Sequence, residues 1–261
     1  IMSYMHISNL YRERDILLFK ECYAMEKIHG TSAHISFTPS LEPGTEQLNF
    51  FSGGEKHENF IKLFSVLDLM TKFKSIGSEY PITIFGEAYG GKCQGMSKTY
   101  GLNLKFVVFE VRIGSRWLCV SEAEKVAQQL GIEFVHYRRI PCTIEAIDAE
   151  ILLDSVQAVR NGMGEGHKRE GIVLRPLIEL TKNNNERIIA KHKREDFIEV
   201  KTPRSLKEID PERLKILDKA DDIAEEWCTN MRLQHILQNF SEPYDITMCG
   251  SIAKLMVEDI L

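Results

Sequence analysis

Apolar and polar residues alternate in short runs over most of the first two hundred positions of the chain. Alternation with a period of two over four to eight residues, bounded by Gly, Asn or Pro, is typical of β-strands with one buried face. The pattern predicts strands over Ser32–Phe37, Glu46–Phe51, Ile82–Phe85, Leu104–Val111, Arg116–Val120, Gly171–Arg175 and Arg187–His192. Only a few helical stretches separate these strands, so the sequence favours an α+β fold with much antiparallel sheet.

Three segments of the same region repeat their apolar residues with the 3.6-residue period of a helix. The pattern predicts helices over Glu58–Phe73, Ser121–Leu130 and Thr143–Arg160. The second has Ser121 and Glu124 at the spacing of a capping box and stops at Gly131. We expect the first two helices to pack against the sheets.

The character of the chain changes near residue 202, where Thr202 and Pro203 end the last strand. The remaining sequence has helical character over 211–227, 230–240 and 251–261. Residues 202–261 contain 7 Lys+Arg and 12 Asp+Glu, whereas residues 1–201 contain 26 of each, so the whole net charge of -5 lies in the last sixty residues. We therefore predict two domains, 1–201 and a small helical domain at 202–261.

Composition limits the possible functions. A hydrophobic content of 43% is ordinary for a globular protein, and no apolar run reaches the roughly 18 residues of a membrane span, so we expect no membrane contact and a cytoplasmic, or in a eukaryote nuclear, location. The negative net charge excludes nucleic-acid binding by overall charge and leaves only local patches. The six cysteines lie more than twenty residues apart, which favours reduced thiols over zinc or disulfides.

Four short stretches place charged side chains at strand edges: EKIHG, FGEAYGGKCQG, REGIVLR and IIAKHK. Each has an ordinary interpretation when taken alone. A lysine before a turn is usually solvated, a glycine-rich loop is usually mobile, and Glu170 could simply pair with Arg169 or Arg175. Lys191 and Lys193 share one strand face and could protect an edge strand.

Taken together and in this order, the stretches resemble the motifs of covalent nucleotidyltransferases, the superfamily of ATP-dependent ligases and mRNA capping enzymes. EKIHG resembles the Lys-x-Asp/His-Gly nucleophile motif, FGEAYG the Gly-Glu-x-x-Gly element of RNA ligases, VVFEV the aromatic-acid strand, REGIVLR the Glu-Gly-hydrophobic strand and AKHK the paired-lysine strand. The resemblance is closest to the RNA ligase 2 type of bacteriophages and their cellular relatives. It implies a nucleotidyltransferase (ATP-grasp-like ligase) domain of antiparallel sheets flanked by helices, followed by the small helical domain.

The resemblance also implies a reaction. In this family an unprotonated lysine attacks the α-phosphate of ATP, releases pyrophosphate and carries AMP as a phosphoramidate. That role falls to Lys27, with Lys191 and Lys193 as the cations that grip the α-phosphate. A free lysine has a pKa of about 10.4, so nearby cations are needed to make it a nucleophile at neutral pH. Glu170 is the first candidate for binding Mg²⁺, with Mn²⁺ as an alternative ion, and Glu110 is the second candidate ligand.

Further contacts to ATP follow from the same resemblance. Glu87 is expected to hydrogen-bond the ribose and Phe109 to stack on the adenine, while Glu26 is a candidate for reading the adenine edge. Gly30 is expected to allow a tight turn beside the nucleophile, and Ser52 to contact the ribose. The complete implied ATP-binding set is Glu26, Lys27, Gly30, Ser52, Glu87, Phe109, Glu170, Lys191 and Lys193.

The implied second substrate is RNA with a 5'-phosphate and a 3'-hydroxyl, joined in RNA repair. Phage-type enzymes carry a phosphate-binding arginine in the strand after the nucleophile, where this chain has FFSGGEKH. Lys56 is the candidate replacement, and Gln94, Lys168 and Arg169 are further candidates for RNA contact. The nearby basic residues Arg175, Lys182 and Arg194 complete the candidates for phosphate contact.

Two alternatives remain open from the sequence. One is another nucleotidyl transfer by the same fold, namely DNA ligation or capping-type guanylyl transfer, although the acidic helical tail does not resemble the OB domain that usually follows in those enzymes. The other is a non-catalytic nucleotide or RNA sensor, which has no need for Lys27. The sequence does not indicate protein partners or an oligomeric state.

Overall fold

Two antiparallel sheets form the framework of the chain up to residue 197. The computed structural model describes residues 4–40, 42, 44–197, 219, 233, 236–237, 240 and 248–260. Its strands are β1 (Glu21–Lys27), β2 (Thr31–Thr38), β3 (Gln47–Ser52), β4 (Ile82–Gly90), β5 (Leu104–Ile113), β6 (Arg116–Trp117), β7 (Tyr137–Pro141), β8 (Gly171–Pro176) and β9 (Ala190–Lys193). The chain divides into two compact units, 1–201 and 202–261, and all these strands belong to the first.

Sheet A has four strands in the order β7-β1-β8-β9. Lys27, the last residue of β1, pairs with Gly171 of β8, and Gly171 pairs in turn with Lys193 of β9. Because these residues lie opposite one another, the register brings both lysines to the same end of sheet A, next to Glu170. Pairing between strands more than 140 residues apart therefore assembles this corner of the molecule.

Sheet B has five strands in the order β3-β2-β4-β5-β6. Side chains alternate along β2, so that Ala33, Ile35 and Phe37 point into the core while Ser32 and His34 face the other side. A bulge in the pairing of β4 with β5 leaves Phe109 without an opposite residue. Bulges of this kind redirect the side chain that they carry.

Six helices accompany the sheets: α1 (His57–Ile61), α2 (Val66–Ser75), α3 (Ser97–Tyr100), α4 (Val120–Leu130), α5 (Ile144–Ile151) and α6 (Val156–Arg160). Short 3₁₀ turns lie at Asp15–Leu18, Cys93–Gly95 and Glu195–Phe197. The apolar faces of α2 and α4 pack on sheet B through Phe73, Val126 and Leu130, which are buried in the main core. The predicted α+β fold with antiparallel sheets flanked by helices is confirmed.

Several element boundaries differ from the predicted ones. The predicted helix over Glu58–Phe73 is α1 and α2, interrupted where Ser65 adopts an extended conformation, and Ser155 likewise separates α5 from α6. The capping residue of α4 is Cys119 rather than Ser121, with its N–H donating to Glu122 Oε2 at 3.3 Å, and β6 is correspondingly short. Neither β1 nor β7 was predicted from the sequence.

In the second unit the structure describes a helix over Cys249–Ile260. The helices predicted over 211–227 and 230–240 fall almost entirely outside the described residues. Within the described parts of the chain, no helix has the length and apolar character needed to cross a membrane. The cysteines that the structure describes, Cys22, Cys93, Cys119, Cys142 and Cys249, are free thiols.

Candidate active site

A pocket opens in the first unit between the two sheets. Sheet A contributes Met25, Lys27, Val173 and Lys191 to its lining, and sheet B contributes Ser32, Glu87, Val107 and Phe109. The segment before β1 adds Tyr4, Met5, His6 and Ile7. The pocket thus has apolar walls with charged side chains at a few positions, as is common for sites that bind small molecules.

A cluster of oppositely charged side chains lies at the end of sheet A where β1 finishes with Lys27. Lys27 Nζ is 2.9 Å from Glu170 Oε2, and Lys193 Nζ is 3.0 Å from Glu170 Oε1. The carboxylate is 1% exposed, whereas the two lysine side chains are 25% and 19% exposed. Burial alone would raise the pKa of Glu170, but hydrogen bonds from His29, Lys27 and Lys193 and the charge of Lys27 lower it to about 2. Glu170 is therefore an anion that two partly accessible ammonium groups share.

His29 belongs to the same cluster. Its Nδ1 lies 3.2 Å from Glu170 Oε2, and its ring packs edge-on against Phe197 at 5.5 Å between centroids. The histidine of the EKIHG stretch thus contacts the same carboxylate oxygen as Lys27.

Glu87 lies on β4 on the opposite wall of the pocket. Its Oε1 accepts a hydrogen bond from the Gly30 N–H at 3.1 Å. Burial raises the pKa of Glu87 to about 7, the charge of Glu170 raises it further, and the charge of Lys27 acts in the opposite direction. The two carboxyl groups thus differ, since the pKa of Glu170 is lowered to about 2 and that of Glu87, which lines the pocket, is raised to about 7.

Phe109 lines the pocket as expected for a residue that would contact a base. Its ring packs edge-on against Tyr4 at 5.0 Å between centroids, and Tyr4 also contacts Phe85 and Trp117. One apolar wall of the pocket is thus built from aromatic rings of sheet B and of the segment before β1.

Glu110 has partners that argue against the metal role expected from the sequence. Its carboxylate, 1% exposed, is 2.8 Å from Arg175 Nη1, accepts a hydrogen bond from Arg187 Nη1 at 3.0 Å and accepts another from the hydroxyl of Tyr4. Two arginines and a phenol occupy the oxygens that a metal would need. The structure therefore corrects this assignment, and Glu110 acts as the counterion of a buried arginine pair.

Glu26 is also placed differently from the sequence expectation. Neighbouring residues of a strand point to opposite faces, so Glu26 points away from the face that carries Lys27. Its carboxylate accepts hydrogen bonds from Ser155 Oγ at 2.6 Å and from the backbone N–H groups of Val156 and Gln157 at the start of α6. Burial raises the pKa of Glu26 above its ordinary value, and these hydrogen bonds offset only part of that rise. The carboxylate of Glu26 therefore holds the start of α6, while the residue also lines the pocket, so its contact with a base stays a prediction.

Gly30, Ser52 and Lys191 complete the candidates for ATP contact. A Cβ on Gly30 would lie 2.3 Å from the carbonyl oxygen of Ala88, so glycine is required by the close approach of β4 and not by a left-handed turn. Ser52 Oγ donates to the carbonyl of Glu55 at 2.6 Å and does not line the pocket. Lys191 lines the pocket, with its Nζ 3.4 Å from His6 Nε2.

The four residues expected to bind RNA divide into two groups. Lys56 and Gln94 are exposed, and Lys168 is exposed and paired with Asp196 at 2.7 Å. Arg169, by contrast, is 1% exposed and bonded to Glu150 and to the carbonyl of Asp154. A buried guanidinium cannot reach RNA, so the structure corrects the assignment of Arg169 to a structural role.

The other basic candidates are also engaged within the protein. Arg175 is buried against Glu110, and Lys182 pairs with Glu13 and Asp15. Arg194 lies 3.5 Å from Asp196.

Two parts of the site were missed by reasoning from the sequence. Ser32 lines the pocket, and its buried Oγ has no hydrogen-bond partner among the described atoms. Alternation along β2, which was predicted, could have placed Ser32 on the face opposite Ala33. The segment at residues 4–7 gives no such signal, because it reaches the pocket through contacts with residues about a hundred positions away.

The donor set fits a divalent ion that is held mainly by nucleotide phosphates. Among the described residues no group of three or more His, Cys, Asp or Glu side chains could hold a metal. Mg²⁺ keeps most of its waters and needs only one or two carboxylates when phosphates are present. Glu170, which contacts the pocket residue Lys27, can supply that carboxylate.

The comparison with protein families decides the relationship of the chain. The family model described as RNA ligase matches residues 20–193, which contain both sheets and the complete Lys27 cluster. The chain belongs to the RNA ligase family. A search of curated protein sequences found no match to this RNA ligase family member.

Solved structures show the same fold. The RNA ligase of Naegleria gruberi, in a variant bound to ATP and Mn, superposes with a TM-score of 0.55 at 14% identity, over 76% of this chain and 57% of that chain. The same enzyme with PPi gives a TM-score of 0.54 at 15% identity, over 75% and 57%. The family member described here thus spans little more than half the length of those Naegleria structures.

Proposed function

We propose that the chain is an ATP-dependent RNA ligase of the RNA ligase 2-like type that forms a covalent lysine-AMP intermediate on Lys27. The observation that carries the proposal is that Lys27, which lines the same pocket as Glu87 and Phe109, has its Nζ in contact with Glu170 and through it with Lys193. A sensor would need the pocket but not a partly exposed amine in its lining.

The first step is attack of the neutral Lys27 amine on the α-phosphorus of ATP. A bond forms between Nζ and phosphorus as the bond from phosphorus to the pyrophosphate oxygen breaks, and the amine releases its proton to solvent. Lys193 and Lys191 lie on β9 and would offset the charge that develops on the phosphate. Phe109 would contact the base, and Glu87 would hydrogen-bond the ribose.

ATP and a divalent metal, Mg²⁺ or Mn²⁺, are the proposed cofactors. Two variants of the Naegleria enzyme carry AMP or ATP together with Mn, which supports this choice. Glu170 would hold the ion together with the phosphates, and the ion would neutralise phosphate charge. Phosphate oxygens would at the same time replace the carboxylate as partners of Lys27 and Lys193, which frees the nucleophile from its ion pair.

In the second and third steps AMP would pass from Lys27 to the 5'-phosphate of an RNA end, and a 3'-hydroxyl would displace it to join the strands. RNA repair is the cellular role we assign to this activity. Membership of the RNA ligase family supports RNA as the substrate.

Intact mass spectrometry after incubation with ATP and Mg²⁺ tests the proposal. The protein should gain the mass of one AMP, and Lys27→Ala should gain none. Lys20→Ala is the matched control, because Lys20 is exposed and lies just before the opposite end of β1. A protein that never gains AMP, or a Lys27→Ala variant that still does, contradicts the proposal.

Two further comparisons separate the alternatives. GTP in place of ATP should give no labelling, whereas a capping-type enzyme would prefer GTP. Labelled nicks in RNA should be sealed faster than the same nicks in DNA, and the reverse preference would indicate a DNA ligase.

A further inference from the structure

One wall of the pocket is formed by a segment that precedes β1, which we name the pocket segment (residues 4–10). Its first four residues, Tyr4, Met5, His6 and Ile7, all line the pocket. None of them belongs to the motifs that the sequence analysis assigned to ATP or RNA. The pocket thus contains a set of side chains whose role is still open.

The pocket segment is anchored at both of its ends. At one end the hydroxyl of Tyr4 donates a hydrogen bond to the Glu110 carboxylate, and the Tyr4 ring lies 5.0 Å from that of Phe109 between centroids. At the other end the side chain of Leu10 is completely buried. The residues between these anchors are therefore held against the pocket, although the side chain of His6 is itself exposed.

The segment also holds the backbone of Lys191. The Lys191 N–H donates to the carbonyl of Ser8 at 2.9 Å, and the Leu10 N–H donates to the carbonyl of Lys191 at 2.8 Å. Asn9, between them, forms a parallel bridge with Lys191. Both backbone polar groups of Lys191 are thus bonded to the pocket segment, on the outer edge of β9.

The side chains of the same two elements meet inside the pocket lining. Lys191 Nζ lies 3.4 Å from His6 Nε2. A lysine ammonium has three donors and no acceptor, so this contact is favourable only when Nε2 is an acceptor and the imidazole carries its proton on Nδ1. The geometry therefore points to a neutral His6 in the Nδ1–H form.

His6 differs in kind from the partner of the second lysine on β9. Lys191 and Lys193 are two residues apart and share one face of the strand. Lys193 Nζ is 3.0 Å from a carboxylate oxygen of Glu170, whereas Lys191 contacts an imidazole. A carboxylate offsets the charge of an ammonium group, but a neutral imidazole restricts the position of that group and adds no negative charge.

We propose that His6 is a positioning residue for nucleotidyl transfer, which holds Lys191 Nζ in place to meet the phosphates of ATP. The inference rests on the proposed ligase function. One ammonium proton of Lys191 would go to His6, and the others would remain for phosphate oxygens. Lysine has a flexible four-carbon stem, so fixing its end before ATP binds reduces the entropy lost in the reaction.

The first test measures the His6 contact without any chemistry. Nuclear magnetic resonance of protein labelled with ¹⁵N-histidine reports which ring nitrogen carries the proton, and the signal that disappears in His6→Gln identifies His6. The unaltered protein should show the Nδ1–H form at a pH where the ring is neutral. Lys191→Ala should shift His6 toward the Nε2–H form, because the hydrogen bond made by one nitrogen sets the proton position on the other.

The second test measures the rate of lysine-AMP formation at saturating ATP by intact mass. His6→Ala should lower it about tenfold, the effect of losing one hydrogen bond to a charged group. His6→Phe keeps a ring without an acceptor and should be equally slow, whereas His6→Gln keeps an oxygen acceptor and should retain most of the rate. His57→Ala removes an exposed histidine at the start of α1 and should leave the rate unchanged.

A double-mutant cycle shows whether His6 acts through Lys191. Lys191→Ala should be slower than His6→Ala, because it removes the cation itself. Adding His6→Ala to Lys191→Ala should change the rate by less than about twofold, since the contact is already lost. A further tenfold loss in the double variant would mean that His6 acts independently of Lys191 and would overturn the proposal.

The outcomes separate this inference from the proposed function. If Lys191→Ala leaves the His6 tautomer unchanged, or if His6→Phe forms lysine-AMP as fast as the unaltered protein, the positioning role is wrong and the ligase assignment stands. If the tautomer responds to Lys191→Ala but the protein never gains AMP, the contact is real, and both the ligase assignment and the role of His6 in it are wrong.

Discussion

Two buried carboxylates of the first unit are surrounded by cations of different kinds. Glu170, which pairs with the pocket residue Lys27, also contacts His29 and Lys193, and these three side chains are 19% to 26% exposed. Glu110, on the inner wall, contacts Arg175 and Arg187, whose side chains are 2% and 4% exposed. Each carboxylate is 1% exposed, so burial of the acid does not distinguish the two clusters.

The difference lies in what the cations can do. An arginine remains protonated at any physiological pH, so the arginines of the Glu110 cluster keep a constant charge and cannot act as nucleophiles. A lysine can lose its proton, and partial exposure allows a phosphate to replace the carboxylate as its partner. The Glu110 cluster stabilises the fold, and the Glu170 cluster is suited to chemistry. Four substitutions test this distinction, and we give them from the largest expected effect to the smallest.

Glu170→Ala should abolish most of the chemistry while the fold persists. We expect self-adenylylation to fall by on the order of 100-fold or more, because the variant loses both the carboxylate that positions Lys27 and Lys193 and the proposed metal ligand. The amount of lysine-AMP formed with time, measured by intact mass, gives the rate. A Glu170→Ala variant that labels at the normal rate would show that this cluster is structural too.

Glu110→Ala, unlike Glu170→Ala, should mainly destabilise the fold. Removing one partner of a buried ion pair leaves an uncompensated charge, so we expect a loss of roughly 3–5 kcal/mol in the free energy of unfolding. Urea unfolding followed by the fluorescence of Trp117, which lies 4.3 Å from the Arg187 guanidinium, measures it. Glu21→Ala breaks an exposed pair with Arg139 and should lower the free energy of unfolding far less, because solvent screens exposed ion pairs. Equal losses in the two variants would contradict the contrast.

Glu87→Gln should change the pH dependence of stability. Because the folded protein holds the Glu87 proton up to a pKa of about 7, while the unfolded chain releases it near 4.5, ionisation costs stability as the pH rises between these values. Glu170 acts in the opposite sense, since its stabilising effect is complete above about pH 4.5 and is lost as the pH falls toward 2.

The advantage of Glu87→Gln over the unaltered protein should therefore grow by about 3 kcal/mol between pH 4.5 and 7. Urea unfolding across this pH range measures it. A constant difference between the two proteins would show that Glu87 is ionised throughout and that the pocket does not bury it.

Tyr4→Phe should have the smallest effect. It removes one hydrogen bond to the Glu110 carboxylate and leaves the aromatic contacts with Phe85 and Phe109 in place. Hydrogen bonds to charged groups contribute about 1.5–3 kcal/mol. The free energy of unfolding should therefore fall by less than in Glu110→Ala. Thermal unfolding that is indistinguishable from the unaltered protein would mean that the arginines alone satisfy Glu110.

The sequence was most informative where a motif combines chemistry with a predicted strand. The strand over Gly171–Arg175 and the paired lysines nominated Glu170 and Lys193, and the structure brings both to Lys27. It was least informative along β1, whose residues Cys22, Ala24 and Met25 are buried in a central strand and obscure the alternation. Without that strand, Glu26 and Lys27 could not be assigned to opposite faces.

The roles of the charged residues separate what each level of description could provide. The alternation of apolar and polar residues determined the antiparallel α+β fold, because strand periodicity is a local property. The short motifs and their order along the chain indicated the RNA ligase family. Only the tertiary structure decided that Lys27 and Lys193 share Glu170, and that Glu110 and Arg169 are buried in structural ion pairs. The energy of a charge depends on its burial and on its partners, and those are set by strand pairing across a hundred residues or more.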